Sequence, residues 1–406
     1  MAIAAGTPEF TRTTRAMFLG GFSTFALLYC VQPLMPVLGH DYALTPAQSS
    51  LVLAVSTAAL ALSLVASTVV SARLGRTPLM VAAMAIAAVM TLLSPLAHSY
   101  GQLVALRAAL GLALGGMPAI AMVYLSEEME ATSLGAAMGV YISGGAFGGM
   151  AGRMLASVLG DVYSWRVALA ALGVAGLYAA WEFWRSLPRS RHFTGGAIAW
   201  CGAWHGWSLH LRDGGMRALF ALAFVLMGCM VSAYSYIAFR LQSAPYGLSQ
   251  SVTGLVSFLY VLGIFSSVWA GRLVDRLGRR NVLWKIMALM LAGLLLTLAS
   301  PLAVVVFGMA VFTFAFFAAH AIASSWVGRR ALALSRPQAG LASGLYLFFY
   351  YLGSSVVAWI TGLLWSRAGW TGVVALLGAG LCGGLLIALR LRQLEPVVEA
   401  APAVAA

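Results

Sequence analysis

Long apolar runs dominate this sequence and determine the solvent in which the chain folds. Runs of about 20 residues, each long enough to cross a ~30 Å hydrocarbon layer as a helix, follow one another throughout the 406 residues. Only 9% of the residues are charged, whereas a soluble domain averages about 25%. Because lipid offers the backbone no hydrogen bonds, these runs must be helices. We predict an all-α membrane protein with twelve spans near 15–38, 47–71, 78–97, 101–125, 133–158, 166–186, 217–241, 250–272, 281–299, 302–327, 338–364 and 370–391.

The basic residues are divided unevenly between the two sides of the predicted spans. If the N-terminus lies inside, only four basic loop or helix-end residues fall outside: Arg153, Arg166, Arg240 and Arg367. Inner loops carry the excess of Arg and Lys in membrane proteins, so both termini are predicted to be cytoplasmic. The net charge of +13 is then a topology signal, and nucleic acid is not expected as a partner.

The two halves of the chain resemble each other. Tyr42–Thr45 returns as Tyr246–Ser249, an offset of 246 − 42 = 204, and Leu74–Arg76 returns as Leu277–Arg279, an offset of 277 − 74 = 203. Two further pairs recur at 205, namely Gly148 with Gly353 and Trp165 with Trp370. A nearly constant offset of half the chain predicts two pseudo-symmetric six-helix bundles. Such halves usually enclose a substrate site in a membrane transporter.

We predict a first bundle over 1–186, a cytoplasmic linker over 187–216, a second bundle over 217–392 and a disordered tail over 393–406. In the linker, Trp200, Trp204, Trp207 and Leu211 share one helical face, which predicts an amphipathic helix on the inner leaflet. Cys201, His205 and His210 follow no ligand spacing, so no metal site is expected.

Two helix starts carry capping signals at equivalent places in the halves. Thr45 precedes Pro46 and is followed by Gln48, the pattern of a capping box with proline in the first turn. Ser249 occupies the same place in the second half. Both are predicted to begin spans.

The loop after the eighth span contains the chain's most specific motif. Gly271-Arg-Leu-Val-Asp275-Arg-Leu-Gly278-Arg279-Arg280 resembles the signature G-x-x-x-D-x-x-G-R-[RK] of the major facilitator superfamily. The resemblance implies that superfamily's fold and a gate at the inner mouth, in which Asp275 pairs with an arginine in one conformer.

The first-half copy of this motif is degenerate. Thr68 replaces its first glycine and Ala72 replaces its aspartate, while Gly75 and Arg76 remain. A charge latch would therefore depend on Asp275.

Two further spans resemble superfamily motifs, and each leaves two interpretations open. Arg107 in the fourth span either contacts substrate or protons, or is satisfied by backbone carbonyls and holds helices together. Gly144, Gly145, Gly148 and Gly149 in the fifth span resemble the antiporter motif, with Gly145 in the proline position. Close helix packing alone is the alternative reading.

None of the eleven acidic residues lies at the centre of a predicted span. His320 in the tenth span is the remaining candidate for proton coupling, and a hydrogen-bonded core histidine is the alternative. A weakly polar, aromatic cavity is predicted, which suits amphipathic or cationic solutes, although tyrosines at helix interfaces are a competing explanation. Its candidate residues are Tyr29, Gln32, Tyr236, Arg240, Tyr346 and Tyr350.

Several local strings resemble a subgroup of the superfamily that is placed with drug and sugar exporters. We therefore expect a multi-pass transporter of the bacterial inner membrane, monomeric and without cofactor, that exports small organic molecules in exchange for protons. The alternatives are uniport or import of a sugar-like solute, and a sensor without transport. An enzyme is not expected, because no nucleophile–base pair or acidic cluster lies at membrane depth.

Overall fold

The computed structural model describes residues 2–188, 190–191, 200–335 and 338–394. Within these ranges the regular structure is helical, apart from one isolated bridge between Ile3 and Met129. The predicted tail lies outside the described residues from 395 onward, as do 192–199 of the predicted linker.

The described α-helices are α1 (Pro8–Tyr29), α2 (Met35–Asp41), α3 (Pro46–Leu74), α4 (Arg76–Leu93), α5 (Tyr100–Leu114), α6 (Pro118–Glu128), α7 (Ala131–Val162), α8 (Trp165–Ser186), α9 (Trp200–Arg212), α10 (Gly214–Gln242), α11 (Gln250–Gly254), α12 (Leu262–Leu277), α13 (Arg279–Leu296), α14 (Leu302–Leu334) and α15 (Ala339–Gln393). Short 3-10 turns cover Gln32–Leu34, Ser94–Leu96 and Leu255–Val261.

These helices account for the predicted spans. Within the part of the chain that the structure describes, ten stretches are long and apolar enough to cross a membrane. The last of them, α15, is interrupted by non-helical backbone at Gly369 and so contains two spans. Helix α13, whose first turns carry charged residues, completes the twelve. The predicted all-α architecture is confirmed.

Two spans that we predicted as continuous helices are broken. The first changes from α1 to α2 through the 3-10 turn at Gln32–Leu34, where Pro33 supplies no N–H. The fourth changes from α5 to α6 at Gly115–Met117, just before Pro118. Both predicted caps are confirmed: Thr45 and Gln48 form a capping box, and the Ser249 hydroxyl accepts a hydrogen bond from the Val252 N–H.

The backbone repeats the sequence duplication. Gly75 and Gly278 both adopt positive φ, +89° and +77°, at the turns that begin α4 and α13. This conformation disfavours residues with a Cβ, so both copies of the motif keep glycine for the same reason.

In the first bundle, α1 packs on α7 and α8, while α4 and α3 both pack on α5. In the second, α10 packs on α15 and α14, and α13 packs on α14 and α15. The two bundles meet chiefly through α3 against α15 and through α7 against α11 and the following 3-10 turn.

Helices α1 and α7 are joined by backbone contact. A methyl group added at Gly144, Gly148 or Gly152 would overlap the backbone of Phe18, Phe22 or Ala26, respectively. The four-residue spacing on both helices keeps the backbones together over two turns. Small residues allow such close approach within a membrane.

Another face of α7 points toward the second bundle, and its environment changes along the helix. Near the outer end, Ser157 is fully buried and lies against Gly254. The Asp161 carboxylate accepts a hydrogen bond of 3.0 Å from the Ser251 N–H. Toward the inner end the same face is open: Ile142 is 58% exposed, and a methyl group at Gly139 would meet no atom within 4 Å.

Further contacts between the bundles lie toward the outer side as well. Thr57 and Ser355 share a hydrogen bond of 2.7 Å between α3 and α15. Closer to the outer ends of the same helices, Gly362 lies against Ala47. The bundles are therefore in contact toward the side predicted to be outer, whereas the face of α7 near Ile142 is open toward the other side.

Helix α9 lies within the predicted linker. Only part of its apolar face, which we expected to lie on the membrane, is exposed. Trp207 is buried, whereas Trp204 is 69% exposed and Leu211 is also exposed; the Trp200 side chain lies outside what the structure describes. The reason is that Gly206 admits Leu341 and Gln338 from the start of α15 and the residue before it. The helix therefore packs on the second bundle as well as presenting an apolar edge.

We predict that Gly148→Ala destabilises the fold, because the new methyl group overlaps the Phe22 backbone, which cannot move as a flexible side chain would. Overpacking of this kind costs about 1–3 kcal/mol. The midpoint of thermal unfolding in detergent should fall for Gly148→Ala and stay near wild type for Gly139→Ala, the same chemical change in open space. Equal midpoints for the two variants would contradict the packing assignment.

Candidate functional site

Arg153 lies deep between the two bundles, although its place near the end of the predicted fifth span led us to count it with the outer arginines. The structure corrects this: α7 continues to Val162, and Arg153 is only 2% exposed. Its Nε donates to the Gln32 Oε1 at 2.6 Å, and its Nη1 donates to the Gly149 carbonyl at 2.6 Å.

Gln32 connects this arginine to the second bundle. Its side-chain nitrogen donates to the Val231 carbonyl at 3.0 Å and to the Ser235 hydroxyl at 2.9 Å, both on α10. Because α2 begins only at Met35, the break in the first span places an amide side chain where a straight helix would continue. Gln32 thus bridges the bundles through side-chain hydrogen bonds.

Aromatic rings from both bundles surround the Arg153 guanidinium. Its carbon lies 4.2 Å from the ring centre of Tyr29 and 4.6 Å from that of Tyr260. Both distances fall within cation–π range. The Tyr29 hydroxyl is buried and has no hydrogen-bond partner among the described residues.

The aromatic surface continues to His320. Tyr260 contacts Phe317 edge to face with ring centres 5.5 Å apart, and the neighbouring Phe316 stacks on His320. The Tyr346 hydroxyl and His320 Nδ1 are 2.9 Å apart, and the Tyr350 ring centre lies 4.8 Å from that of His320. Of the predicted cavity residues, the structure therefore groups Tyr29 and Gln32 around Arg153, and Tyr346 and Tyr350 around His320.

Two predicted cavity residues lie elsewhere. The Tyr236 hydroxyl donates to the Ala358 carbonyl at 3.0 Å, and its ring packs on Phe239 and Trp365. Arg240 donates to the carbonyls of Thr297 and Ala299 near the outer end of α13. These contacts connect helices within the second bundle and bring neither residue to the Arg153 group.

Arg107 is fully buried inside the first bundle, and each of its guanidinium nitrogens has an acceptor. The acceptors are the Leu27 carbonyl at 3.0 Å, the Leu28 carbonyl at 2.5 Å and the Ser56 hydroxyl at 3.1 Å. Leu27 and Leu28 lie in the last turn of α1, where carbonyls lack intrahelical partners. These contacts favour the interpretation that Arg107 holds helices together.

The four glycines of the antiporter-like motif have two kinds of neighbour. Gly144 and Gly148 contact α1 as described above, and Gly145 faces the Phe25 ring. Gly149 leaves room for the Arg153 guanidinium, whose Nη1 would lie 3.2 Å from an added Cβ. These glycines thus allow α7 to pack closely on α1 and leave space for the buried Arg153 guanidinium.

The two inner turns that begin with glycine differ in their charges. In the first bundle, Arg76 pairs with Glu127 at 2.8 Å. The residue 203 positions after Glu127 is Arg330, which instead pairs with Asp213 at 2.6 Å. Burial alone would raise the pKa of Asp213, but hydrogen bonds from Arg330 and from backbone N–H groups outweigh it, so this pKa lies below its usual value.

Around the second turn, Arg279 and Arg280 line a cavity of about 540 Å³ together with Arg329, while Asp275 on the preceding helix is exposed. Asp275 forms no ion pair with any residue that the structure describes. The predicted pairing of Asp275 with an arginine is thus absent from this conformation among the described residues.

Residues 17–335 and 243–405 match the family described as Major Facilitator Superfamily. The chain belongs to this superfamily. It is 45% identical over 391 residues to the inner membrane transport protein YnfM of Escherichia coli strain K12, covering 96% of this chain and 93% of that protein. It is 44% identical over 377 residues to an MFS-type transporter, YybF, of Bacillus subtilis strain 168, covering 92% of each.

Solved structures resemble the whole chain. A bacterial homolog to the human lysosomal transporter Spinster, in an inward-facing and unoccupied conformation, superposes with a TM-score of 0.75 at 15% identity, covering 96% of this chain and 97% of that one. A D-xylose–proton symporter gives a TM-score of 0.72 at 16% identity, covering 95% and 97%. At these identities the likeness shows the fold alone.

The family and fold predicted from the Gly271–Arg280 signature are confirmed. Because the relatives are named as transporters, this chain is a multi-pass transporter and not an enzyme. Sequence reasoning missed Arg153. Its signal was the recurrence of Arg153, Ser157 and Gly160 at helical spacing, which marks one face of a helix.

We predict that Arg107→Met lowers stability, because it leaves the Leu28 carbonyl without a donor. The Leu27 carbonyl would keep only the weak donor of the Cys30 thiol. Each buried acceptor left unpaired costs about 1–3 kcal/mol. The melting midpoint in detergent should fall clearly for Arg107→Met and remain unchanged for Arg367→Met, which alters an exposed arginine. A stable Arg107→Met protein that has lost only transport would instead support a role in coupling.

Proposed function

We propose that this transporter exports small organic solutes by alternating access, in exchange for protons. The bundles 1–186 and 217–392 would rock about the polar and aromatic group between them. One observation carries the proposal: a single face of α7 is buried against the second bundle near Ser157 and open near Ile142. A path that is closed on one side and open on the other is one of the two states that alternating access requires.

Exchange with protons is the proposed source of energy. The sequence contains no G-x-x-x-x-G-K-[ST] motif for ATP. His320 joins the aromatic group midway along α14, and histidine is the side chain whose ordinary pKa lies nearest neutrality. When Nδ1 donates its hydrogen to the Tyr346 hydroxyl, Nε2 is the unprotonated nitrogen of the ring and can accept a proton.

Closure of the inner mouth is proposed to involve Asp275. Its carboxylate is exposed here, beside a rim that contains Arg279 and Arg280. An ion pair that forms only when the inner ends approach would stabilise the opposite state. Arg76 would take a smaller part, because Glu127 already pairs with it.

Uniport or import of a sugar-like solute is the alternative within transport. A non-transporting sensor is the alternative from a different class, and solute flux would exclude it.

We predict that solute exchange moves protons and that His320→Gln abolishes this movement. The full chain would be reconstituted in liposomes that contain the pH-sensitive dye pyranine, and amphipathic amines, sugars and carboxylates would be added outside. In exchange, entering solute drives protons out and the interior becomes alkaline; Arg367→Gln should behave as wild type. Acidification would indicate symport, and flux of radiolabelled solute without proton movement would support uniport.

We predict that Ile142→Cys reacts with an impermeant maleimide from the cytoplasmic side, whereas Ser157→Cys does not. Both would be made after replacement of Cys30, Cys201, Cys229 and Cys382. Adding Asp275→Asn should increase the labelling of Ile142→Cys and reduce transport, because the inner mouth loses its latch. Labelling that stays the same with Asp275→Asn, or that is equal at the two positions, would contradict the proposal.

A further inference from the structure

Arg153 is a buried cation whose charge is not balanced by any described residue. It forms no ion pair with a carboxylate in the described ranges, and its two hydrogen bonds go to a neutral amide and a backbone carbonyl. The neutral Tyr260 hydroxyl also interacts with the guanidinium. An unpaired charge in low dielectric is costly, so this group is expected to serve a ligand or a conformational change.

Arg107 shows what a purely structural arginine looks like in the same bundle. All three of its nitrogens donate hydrogen bonds, and its partners belong to the first bundle alone. Arg153 differs on both counts, because its hydrogen bonds to Gln32 and Gly149 use only two of its five N–H groups. Its surroundings also include Tyr260 and, through Gln32, Ser235 from the second bundle. A site for a transported solute needs residues from both bundles.

A second group beside Arg153 also lacks a partner. The Tyr29 hydroxyl is buried on a residue only 3% exposed and has no hydrogen bond within the described part of the chain. Its ring lies on the guanidinium. An available N–H of a cation and an unpaired hydroxyl on the ring that contacts it together suit the two oxygens of a carboxylate.

We infer that the transported solute is a small organic monoanion, with its carboxylate at Arg153 and Tyr29. The inference rests on the proposed transport function and specifies its substrate class. The apolar body of the solute would lie along Tyr260 and Phe317, toward His320. One uncompensated positive charge balances one negative charge, so a monocarboxylate fits better than a doubly charged phosphate, and a cationic solute would be repelled.

This inference revises the solute class that the tyrosines alone had indicated. An aromatic cavity suits cationic solutes when no charge lies within it. With Arg153 in the group, the cation of each cation–π contact is already supplied by the protein.

Binding to the purified full-length chain in detergent tests the inference at pH 7.5 and without any gradient. The probes are benzoate, 2-naphthoate and octanoate, each compared with its neutral amide of the same shape. In wild type, at least one acid should bind about tenfold or more tightly than its amide, as expected for hydrogen bonds to a charged group. Calorimetry gives the dissociation constants.

Two variants should abolish that preference by different routes. Arg153→Gln removes the charge, and Gln32→Glu, which keeps the side-chain shape, supplies an internal carboxylate that occupies the guanidinium. In both, the ratio of acid to amide affinity should fall close to one, while Arg367→Gln should keep the wild-type ratio. Thermal unfolding of each variant shows whether it is folded. If Arg153→Gln does not fold, the affinity ratio of Gln32→Glu alone tests the inference.

The inference is overturned if no acid binds more tightly than its amide in wild type, or if the preference survives in a folded Arg153→Gln or Gln32→Glu variant. These outcomes are separate from the transport proposal. Carboxylate binding without flux in liposomes would contradict the transport proposal and support the site. Flux of neutral solutes without a carboxylate preference would support transport and contradict the site.

Discussion

Hydrocarbon offers no hydrogen bonds, and the rest of this structure depends on how the chain satisfies its own polar groups in that solvent. Continuous helices do this without help. The first span does not continue through Gln32–Leu34, and it therefore exposes carbonyls of its last turn in the membrane interior. Arg107 supplies the missing donors at Leu27 and Leu28. The break is stable because the buried Arg107 guanidinium donates hydrogen bonds to carbonyls that the helix leaves unpaired. The same break places Gln32 against the second bundle.

Helix α7 connects this scaffold to the proposed transport path. Its glycines hold it to α1 by backbone contact, so that the two helices form one rigid pair. Its other face carries Arg153 and Ser157 against the second bundle. Any rocking of the bundles would therefore move Arg153 with Tyr29 and away from Tyr260. The contacts of the Arg153 guanidinium would therefore change whenever the two bundles move relative to each other.

Much of this architecture could be predicted, because it depends on patterns that repeat along the chain. Run length gave the spans, and the recurrence of Leu74–Arg76 at Leu277–Arg279 indicated two halves whose turns share a positive φ. The capping box at Thr45 was a local signal and needed no tertiary contact. The signature at Gly271–Arg280 was specific enough to identify the superfamily.

The site was harder to predict, because hydropathy gives the length of a helix and not its rotation. Arg153 looked like a residue of the outer end, since an arginine in an apolar run is most simply explained as its boundary. Tyr236 and Arg240 were predicted to line the cavity with Tyr29. Their side chains instead donate to backbone carbonyls of the second bundle, away from the Arg153 group. The breaks at Pro33 and Pro118 were not predicted, although both prolines are visible in the sequence, because their effect depends on which neighbouring groups pair with the backbone.

The charge difference between the two inner turns has an effect at longer range. Glu127 pairs with Arg76. The cavity at the second turn is lined by four arginines, of which Arg330 pairs with Asp213, while Arg279, Arg280 and Arg329 form no ion pair among the described residues. The rim of the second bundle thus carries a positive potential that extends into the aqueous phase over a Debye length, about 8 Å at physiological ionic strength. Negatively charged molecules accumulate in such a field before they touch the protein, and their capture slows as salt is added. If this rim faces the cytoplasm as predicted, it would select solutes by charge before any of them reaches the membrane interior.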